Sequence, residues 1–168
     1  MILLGNIVAL IASLFMVYAG LLKKKSKILL FQCFELALYT ISNLILGGIP
    51  GAIINFLGMI GNILGYKNKL NIIAKIILTI LTVVLTILFN NLGIFGYLPL
   101  VCMITYLWII DIKNVFTFKI FILFIMSLWA IYDFSIKSYV ATVFDILTMI
   151  STIISMIQLK NSKKNKKK

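Results

Sequence analysis

Two stretches of the sequence decide the architecture: Asn43 to Asn55, NLILGGIPGAIIN, and Asp133 to Asp145, DFSIKSYVATVFD. Each stretch begins and ends with Asn or Asp, and between these residues two apolar runs flank a short break. Polar residues are scarce in a chain that is 62% hydrophobic. Their recurrence in one pattern therefore indicates an internal repeat.

The repeat becomes visible when the chain is slid against itself by 90 positions, which places Asn43 on Asp133 and Asn55 on Asp145. In this alignment the predicted loops of the two halves coincide, which predicts two copies of one structural unit. The same offset, without a gap, pairs Lys23 with Lys113, Phe31 with Phe121, Phe34 with Phe124, Tyr18 with Trp108 and Tyr39 with Trp129.

The composition indicates a membrane protein. Mean hydropathy is +1.15 and only four of 168 residues are acidic, which leaves too little polar surface for a soluble domain. The apolar runs are long enough for helices that cross the hydrocarbon core, and they do not alternate as barrel strands do. We predict an all-α integral membrane protein with seven transmembrane helices, at about 2–22, 28–46, 50–66, 71–89, 93–112, 117–134 and 139–159.

The repeat divides the seven helices into two parallel three-helix repeats joined by a linker helix. Three helices reverse the direction of the chain, so a fourth is needed before the second repeat can run parallel to the first. We expect repeat A at 1–66, the linker transmembrane helix at 67–92, repeat B at 93–159 and a disordered Lys-rich tail at 160–168.

The lysines predict the orientation of the chain. All 16 basic residues are Lys, and with seven spans every one of them except Lys137 falls on the same side of the membrane. Because cytoplasmic loops accumulate positive charge, the N-terminus is expected outside and the C-terminus in the cytoplasm. We expect the Lys-rich loops and tail to contact anionic lipid headgroups of the bilayer, and we do not expect nucleic acid as a partner.

Polar residues inside the predicted spans recur at helical spacings of three and four, so they form stripes. Small residues in such stripes also serve close helix packing, and Asn side chains also hydrogen-bond neighbouring helices, so both readings stay open. The stripes are Gln32, Glu35, Tyr39, Ser42 and Asn43; Gly51, Asn55, Gly58, Asn62 and Gly65; Trp129, Tyr132 and Asp133; and Ser138, Thr142, Asp145, Thr148, Thr152 and Ser155.

Glu35 and Asp145 are the most informative members of these stripes. An ionised carboxylate in the hydrocarbon region is unfavourable by several kcal/mol, and we expect no Lys or Arg inside a span to neutralise it. Each carboxyl must therefore face water or carry a proton, and both outcomes indicate a polar cavity. Asn43 and Asp133 lie near the outer ends of their spans, where a structural role is also open.

The segment LGGIPGAIINFLGMIGNI, residues 46–63, together with WAIYDFSIKSYVATVFD, residues 129–145, resembles the YgjV family of small bacterial inner-membrane proteins. The plan of three helices, one helix and three helices is similar to that of the SWEET, PQ-loop and nicotinamide-riboside transporter superfamily. The resemblance implies a multi-pass protein of the bacterial cytoplasmic (inner) membrane. The Pro-Gln signature of PQ-loop members is absent, since Pro99 is followed by Leu100.

The resemblance also implies a site. In sugar-transporting SWEET relatives, an Asn from the third helix of each repeat is flanked by polar or aromatic groups from the second helix. Asp145 in place of Asn favours a small polar or cationic solute over a neutral sugar, because a carboxylate and an aromatic ring both attract cations. With the intramembrane polar residues added, the predicted substrate-binding residues are Asn55, Asp145, Tyr39, Trp129, Asn43, Asp133, Glu35 and Asn62.

Two functions remain open at this point. The main hypothesis is a small-solute transporter or facilitator with a site between the two repeats, in which Pro99 is a hinge. The alternative is a non-transporting membrane scaffold that binds a protein or lipid partner, in which Pro99 is only a kink. The sequence sets no oligomeric state.

Catalysis is not expected, and neither are a metal or a cofactor. The chain has no His and only two Cys, Cys33 and Cys102, which are far apart in the sequence. Histidine-based chemistry and zinc sites therefore lack their ligands. Asp133 and Asp145 lie about three helical turns apart along the chain and across a loop, so we do not expect them to form a catalytic pair.

Overall fold

The computed structural model describes residues 1–21, 25–109, 112 and 114–165. In this part of the chain there are seven α-helices, one short 3₁₀ helix and no strand, so the all-helical class is confirmed. The helices are α1 (Ile2–Leu21), α2 (Lys25–Leu46), α3 (Ile49–Tyr66), α4 (Ile72–Phe89), the 3₁₀ helix (Gly93–Tyr97), α5 (Leu98–Ile109), α6 (Val115–Ser135) and α7 (Tyr139–Asn165).

Five of these helices are long and apolar enough to cross a membrane, within the residues described. The segments Gly93–Ile109 and Tyr139–Ile154 are apolar but shorter. The bundle has an apolar exterior and several buried polar groups, the reverse of a soluble protein. On α4, for example, Ile73 and Leu88 face outward while Thr82 and Thr86 are buried. The protein is therefore a multi-pass membrane protein.

Two helix boundaries differ from the expectation. The fifth predicted span is divided into the 3₁₀ helix and α5, and Pro99 is the second residue of α5. Proline is well tolerated in a first helical turn, where its missing N–H would have no helical partner, and its role as a hinge stays a prediction. α7 continues to Asn165, so residues 160–165 of the expected tail are helical, and 166–168 lie outside the described residues.

Lys75 corrects another expectation. We expected no lysine inside a span, but Lys75 lies in the first turns of α4, within the apolar segment Ile72–Phe89, and its side chain is buried. Asn71 caps this helix through a hydrogen bond of 2.9 Å that its side-chain oxygen accepts from the Ala74 amide. The helix begins at Ile72, close to the predicted start at 71, so Lys75 lay within the predicted span and only its burial was not anticipated.

Six helices form a closed ring. Neighbours along the chain pack against each other, and two further contacts, α1 with α7 and α3 with α5, join elements that are distant in sequence. The ring therefore runs α1, α2, α3, α5, α6, α7 and back to α1. α4 packs on the outside of the ring, against α3 and α5.

The α2–α3 and α6–α7 turns end their helices in the same way. Gly47 and Lys137 both have positive φ, 80° and 63°. The amide of the next residue reaches back to the carbonyl five residues earlier, from Gly48 to Asn43 at 2.7 Å and from Ser138 to Asp133 at 2.8 Å. These are Schellman ends, which satisfy carbonyls that the helix leaves without a partner.

Side chains from distant parts of the sequence complete both turns. Asn91 donates a hydrogen bond to the Gly47 carbonyl at 2.7 Å. Asn6 donates to the Lys137 carbonyl at 2.9 Å and accepts from the Val140 amide at 3.0 Å. Backbone polar groups near lipid need internal partners, so these bonds hold α1 against the α6–α7 turn.

Tyr132 joins the two halves of the ring at the same end. Its fully buried hydroxyl accepts a hydrogen bond of 2.8 Å from the Gly51 amide and donates one of 3.0 Å to the Gly48 carbonyl. A Cβ at Gly51 would overlap this hydroxyl and would lie 2.6 Å from the Asn43 amide nitrogen. The GGIPG segment therefore needs glycine because α6 approaches its backbone closely.

Replacing Lys137 with Gly is expected to stabilise the protein. A residue with a side chain is strained at positive φ by about 1 kcal/mol or more, and Gly removes that strain. We expect Lys137→Gly to increase the free energy of unfolding by about 1 kcal/mol, measured by reversible denaturation in mixed detergent micelles. Gly47→Ala, at the equivalent position, should have the opposite effect. Equal destabilisation by both variants would contradict this account of the turns.

Gly51→Ala is expected to destabilise the protein through its contact with Tyr132. Forcing a methyl group into packed surroundings typically destabilises by about 1–3 kcal/mol. Gly65→Ala is the matched control, because its added Cβ would meet only a Leu29 methyl group at 3.4 Å. The same denaturation measurement should separate the two variants, and equal losses would show that the approach of Tyr132 is not the reason for the glycine.

Candidate functional site

The ring encloses a cavity of about 770 Å³. Residues from all six ring helices line it, and none of its lining residues comes from α4. This size lies in the range of small-molecule sites. The structure brings all eight sequence-predicted residues to this one cavity: Asn55, Asp145, Tyr39, Trp129, Asn43, Asp133, Glu35 and Asn62. Their role in binding stays a prediction.

The end of the cavity beside the α2–α3 and α6–α7 turns contains a pair of carboxyl groups. Asp133 near the end of α6 and Asp145 near the start of α7 lie within hydrogen-bonding distance of each other, and they are 5% and 7% exposed. Although twelve residues separate them along the chain, the α6–α7 turn reverses the chain and brings them together by folding α6 against α7. Two carboxyl groups this close are both ionised only if a cation compensates their charges, and otherwise one of them carries a proton.

Asn43 lines the same cavity without a side-chain hydrogen bond among the described residues. Its side chain is 1% exposed, and neither Nδ2 nor Oδ1 has a partner among the described residues. Asp145 Oδ2 also lacks a hydrogen-bond partner among the described residues. Leaving a buried polar group without a partner is unfavourable by about 1–3 kcal/mol, so this end of the cavity has bonding capacity that the protein itself does not use.

Two aromatic side chains border the middle of the cavity. The Tyr39 hydroxyl shares a hydrogen bond of 2.8 Å with the Ser13 hydroxyl, which fixes the ring of Tyr39 against α1. Trp129 contacts Tyr132 edge to face, with ring centroids 5.6 Å apart. Both rings are thus held by neighbours, and both remain available to a molecule in the cavity.

The part of the cavity farther from the α2–α3 turn contains Glu35. Its side chain is 9% exposed, and Oε2 has no hydrogen-bond partner in the described part of the chain. Asn62 on α3 donates a long hydrogen bond of 3.5 Å to Gln32, which lies one turn from Glu35 on α2. Glu35 lies two turns deeper than Asn43 on the same helix, about 12 Å along its axis.

The electrostatics of the cavity are acidic. Three of the four carboxyl side chains of the protein line it, and the described lining residues include no lysine. Lys75, the buried lysine of α4, is not among the lining residues. Among the described residues there is also no cluster of three side chains that would hold a metal ion. The arrangement suits an organic cation or a polar molecule better than an anion.

Sequence reasoning missed several lining residues, among them Met16 on α1 and Tyr106 on α5. In a hydrophobic chain, Met and Tyr look like ordinary lipid-facing or core side chains. The offset of 90 places these two residues on each other, and this pairing was the available signal. Cys102 also lines the cavity, and its thiol donates to the Ile125 carbonyl at 3.5 Å.

A ring of apolar helices around a cavity with a few buried polar groups defines a multi-pass helical membrane protein. A family model described as Imp-YgjV, bacterial inner membrane protein, matches residues 3–163, nearly the whole chain. The chain therefore belongs to this family, and the bacterial inner membrane is its location. No curated protein and no solved structure matches the chain.

Water in the cavity can be tested by thiol labelling. In a background with Cys33→Ala and Cys102→Ala, we expect Thr148→Cys to react with a charged, water-soluble thiol reagent, because Thr148 lines the cavity. Thr82→Cys, buried on α4 outside the cavity, and Ile77→Cys, exposed on the apolar face of α4, are the controls. Labelling is measured by mass shift, and a Thr148→Cys rate no higher than that of the controls would mean a dry cavity.

Proposed function

We propose that this protein is a transporter or facilitator of a small polar or cationic solute, and that the solute binds in the cavity between two three-helix units. The observation that carries the proposal is the set of buried polar atoms on cavity-lining side chains that have no hydrogen-bond partner among the described residues: Asn43 Nδ2 and Oδ1, Asp145 Oδ2 and Glu35 Oε2. A packed scaffold would pair such groups or replace them with apolar ones, since isolated buried polar groups are unfavourable.

The two units in this proposal are parallel repeats, α1–α3 and α5–α7, with α4 as linker. The offset of 90 carries the contact of α1 with α7 onto the contact of α5 with α3, and both are present. It also carries the bond between Gly48 and Asn43 onto the bond between Ser138 and Asp133. The position of α4 outside the ring supports its role as a connection.

The proposal includes seven membrane crossings, with the N-terminus outside and the C-terminus in the cytoplasm. Lys67 and Lys69, in the α3–α4 loop, are exposed at the end of the bundle opposite the α2–α3 turn, and so is Lys160 near the end of α7. Such lysines suit a cytoplasmic face and contact with anionic headgroups. The α2–α3 and α6–α7 turns then face outward, and the carboxyl pair lies near the outer end.

We also propose binding without catalysis. The carboxyl pair of Asp133 and Asp145 is the arrangement with the closest likeness to a catalytic centre, and the neighbouring Tyr132 hydroxyl is already engaged in two backbone hydrogen bonds. A solute that passes through such a site is expected to leave it chemically unchanged.

Transport is tested with the purified protein in liposomes. We expect uptake of at least one solute from a panel of amines, nucleosides, vitamins and sugars, and recovery of that solute unchanged from the lumen. Asp145→Asn should reduce uptake at least about ten-fold, because the loss of one charged hydrogen bond has an effect of this size.

Thr86→Val is the matched control for Asp145→Asn. Thr86 is buried and its hydroxyl lacks a hydrogen-bond partner among the described residues, but it lies on α4 away from the cavity. This variant should transport normally. Absence of uptake of the whole panel by folded protein would reject the transporter and favour a scaffold, and recovery of a cleaved product would reject binding without catalysis.

A further inference from the structure

Tyr132 connects two sides of the ring of helices that are not neighbours in it. In the described part of the chain, α6 packs mainly against α5, α7 and the 3₁₀ helix. The Tyr132 hydroxyl nevertheless accepts a hydrogen bond from the Gly51 amide and donates one to the Gly48 carbonyl, at the α2–α3 turn. A side chain that joins helices that are not adjacent has to cross the space inside the ring. Tyr132 therefore spans the ring at the end beside the two turns.

This end of the ring is closed by packed side chains. Tyr132 is fully buried, and so are Ser42, Pro50 and Ser138 at the ends of neighbouring helices. None of these four residues lines the cavity. Trp129, one turn earlier on α6, does line the cavity, and its ring contacts Tyr132 edge to face. Tyr132 is thus part of a layer that separates the cavity from this end of the ring.

Asn43 reaches the same stretch of backbone as Tyr132. A Cβ at Gly51 would contact the Tyr132 hydroxyl and would lie 2.6 Å from Asn43 Nδ2, so both side chains approach Gly51 from one side. The backbone carbonyl of Asn43 also accepts a hydrogen bond of 2.7 Å from the Gly48 amide. The side-chain amide of Asn43 is buried, and neither of its polar atoms has a partner among the described residues.

The chemistry of an asparagine side chain matches the two backbone groups that Tyr132 occupies. Gly51 offers an N–H donor and Gly48 offers a carbonyl acceptor. Asparagine has an oxygen that accepts and an NH₂ group that donates, so Asn43 can make both bonds. A buried amide without partners is unfavourable, so the exchange would satisfy Asn43 at the expense of Tyr132. The two arrangements balance each other, as a two-state element requires.

We propose that Asn43 replaces Tyr132 on the Gly48 carbonyl and the Gly51 amide, and that this exchange opens the ring at the end beside the two turns. Asn43 lies on α2, directly before this turn, so its bonds do not reach α6. α6 then separates from the α2–α3 turn, while Asn6 still holds α1 to the α6–α7 turn. The inference rests on the proposed function, in which this opening is the gate for the solute.

The gate is tested by the side from which the cavity can be labelled. In the background with Cys33→Ala and Cys102→Ala, Thr148→Cys reports from the cavity wall. Lys137→Cys, on an exposed residue of the α6–α7 turn, identifies the gate side in right-side-out and inside-out membrane vesicles. A charged, membrane-impermeant thiol reagent is added, and labelling is measured by mass shift.

We expect Tyr132→Phe to accelerate the labelling of Thr148→Cys from the gate side at least about ten-fold. This variant removes two hydrogen bonds that hold the gate closed, and two such bonds shift an equilibrium by about this factor. Tyr139→Phe is the matched control, because Tyr139 is half exposed at the same end of the ring. It should leave the rate unchanged. An unchanged rate in Tyr132→Phe would overturn the gate.

Hydrogen exchange at the Gly51 amide tests the replacement by Asn43. Gly51 lies in the first turn of α3, where an amide has no partner within the helix, so its protection reports the side chain that accepts its hydrogen bond. We expect Tyr132→Phe alone to keep this amide protected through Asn43, and Asn43→Leu alone to keep it protected through Tyr132. The double variant should exchange at least about ten-fold faster, because it lacks both acceptors. The rates are measured by NMR of protein with isotope-labelled glycine in detergent micelles.

The outcomes separate this inference from the function on which it rests. If Tyr132→Phe alone exposes the Gly51 amide as much as the double variant does, Asn43 does not replace Tyr132 and the exchange is overturned. Neither measurement uses a solute. Labelling and hydrogen exchange as expected, together with no uptake of any solute in the panel, would support the exchange and reject the transporter.

Discussion

One end of the helix ring is held by hydrogen bonds that cross from one half of the chain to the other. The turn between α2 and α3 is bonded by Tyr132 of α6 and by Asn91, and the turn between α6 and α7 is bonded by Asn6 of α1. A reversing turn near lipid leaves backbone groups that water cannot fully satisfy. Meeting that requirement with side chains from the opposite half closes the ring, and the cavity exists because the ring is closed.

The position of α4 follows from the same closure. The ring contacts of α1 with α7 and of α3 with α5 leave no lining position for α4, which packs outside against α3 and α5. Its inner face carries the buried hydroxyls of Thr82 and Thr86, and its other face is largely exposed Ile and Leu. A helix in this position connects the two halves of the chain and packs against the ring, and none of its described residues lines the cavity.

Much of this arrangement could be predicted from the sequence because polar residues are so rare in it. The offset that pairs Asn43 with Asp133 also pairs the backbone bonds of the two turns, and the helix boundaries follow the Gly, Asn and Lys residues between apolar runs. The family resemblance, noticed in the segments around the two turns, is shown over nearly the whole chain.

The parts that escaped prediction depend on how helices are rotated and stacked against each other. Contact between Asp133 and Asp145 requires the packing of α6 on α7, which helical periodicity within each run does not specify. Lys75 was expected near the end of a span, and its burial could not be predicted because neighbouring helices create it. Tyr106 on α5 belongs to the wall of the cavity only because α5 packs against α3 and α6.

The contact between α1 and α7 has a consequence for biosynthesis. The ribosome delivers α1 well before α7, and Asn6 finds its partners, Lys137 and Val140, more than 130 residues later. Until α7 has entered the bilayer, the ring has a gap and the carboxyls of Glu35 and Asp133 border an incomplete bundle. The ring of helices and its cavity are therefore completed only after α7 has been inserted.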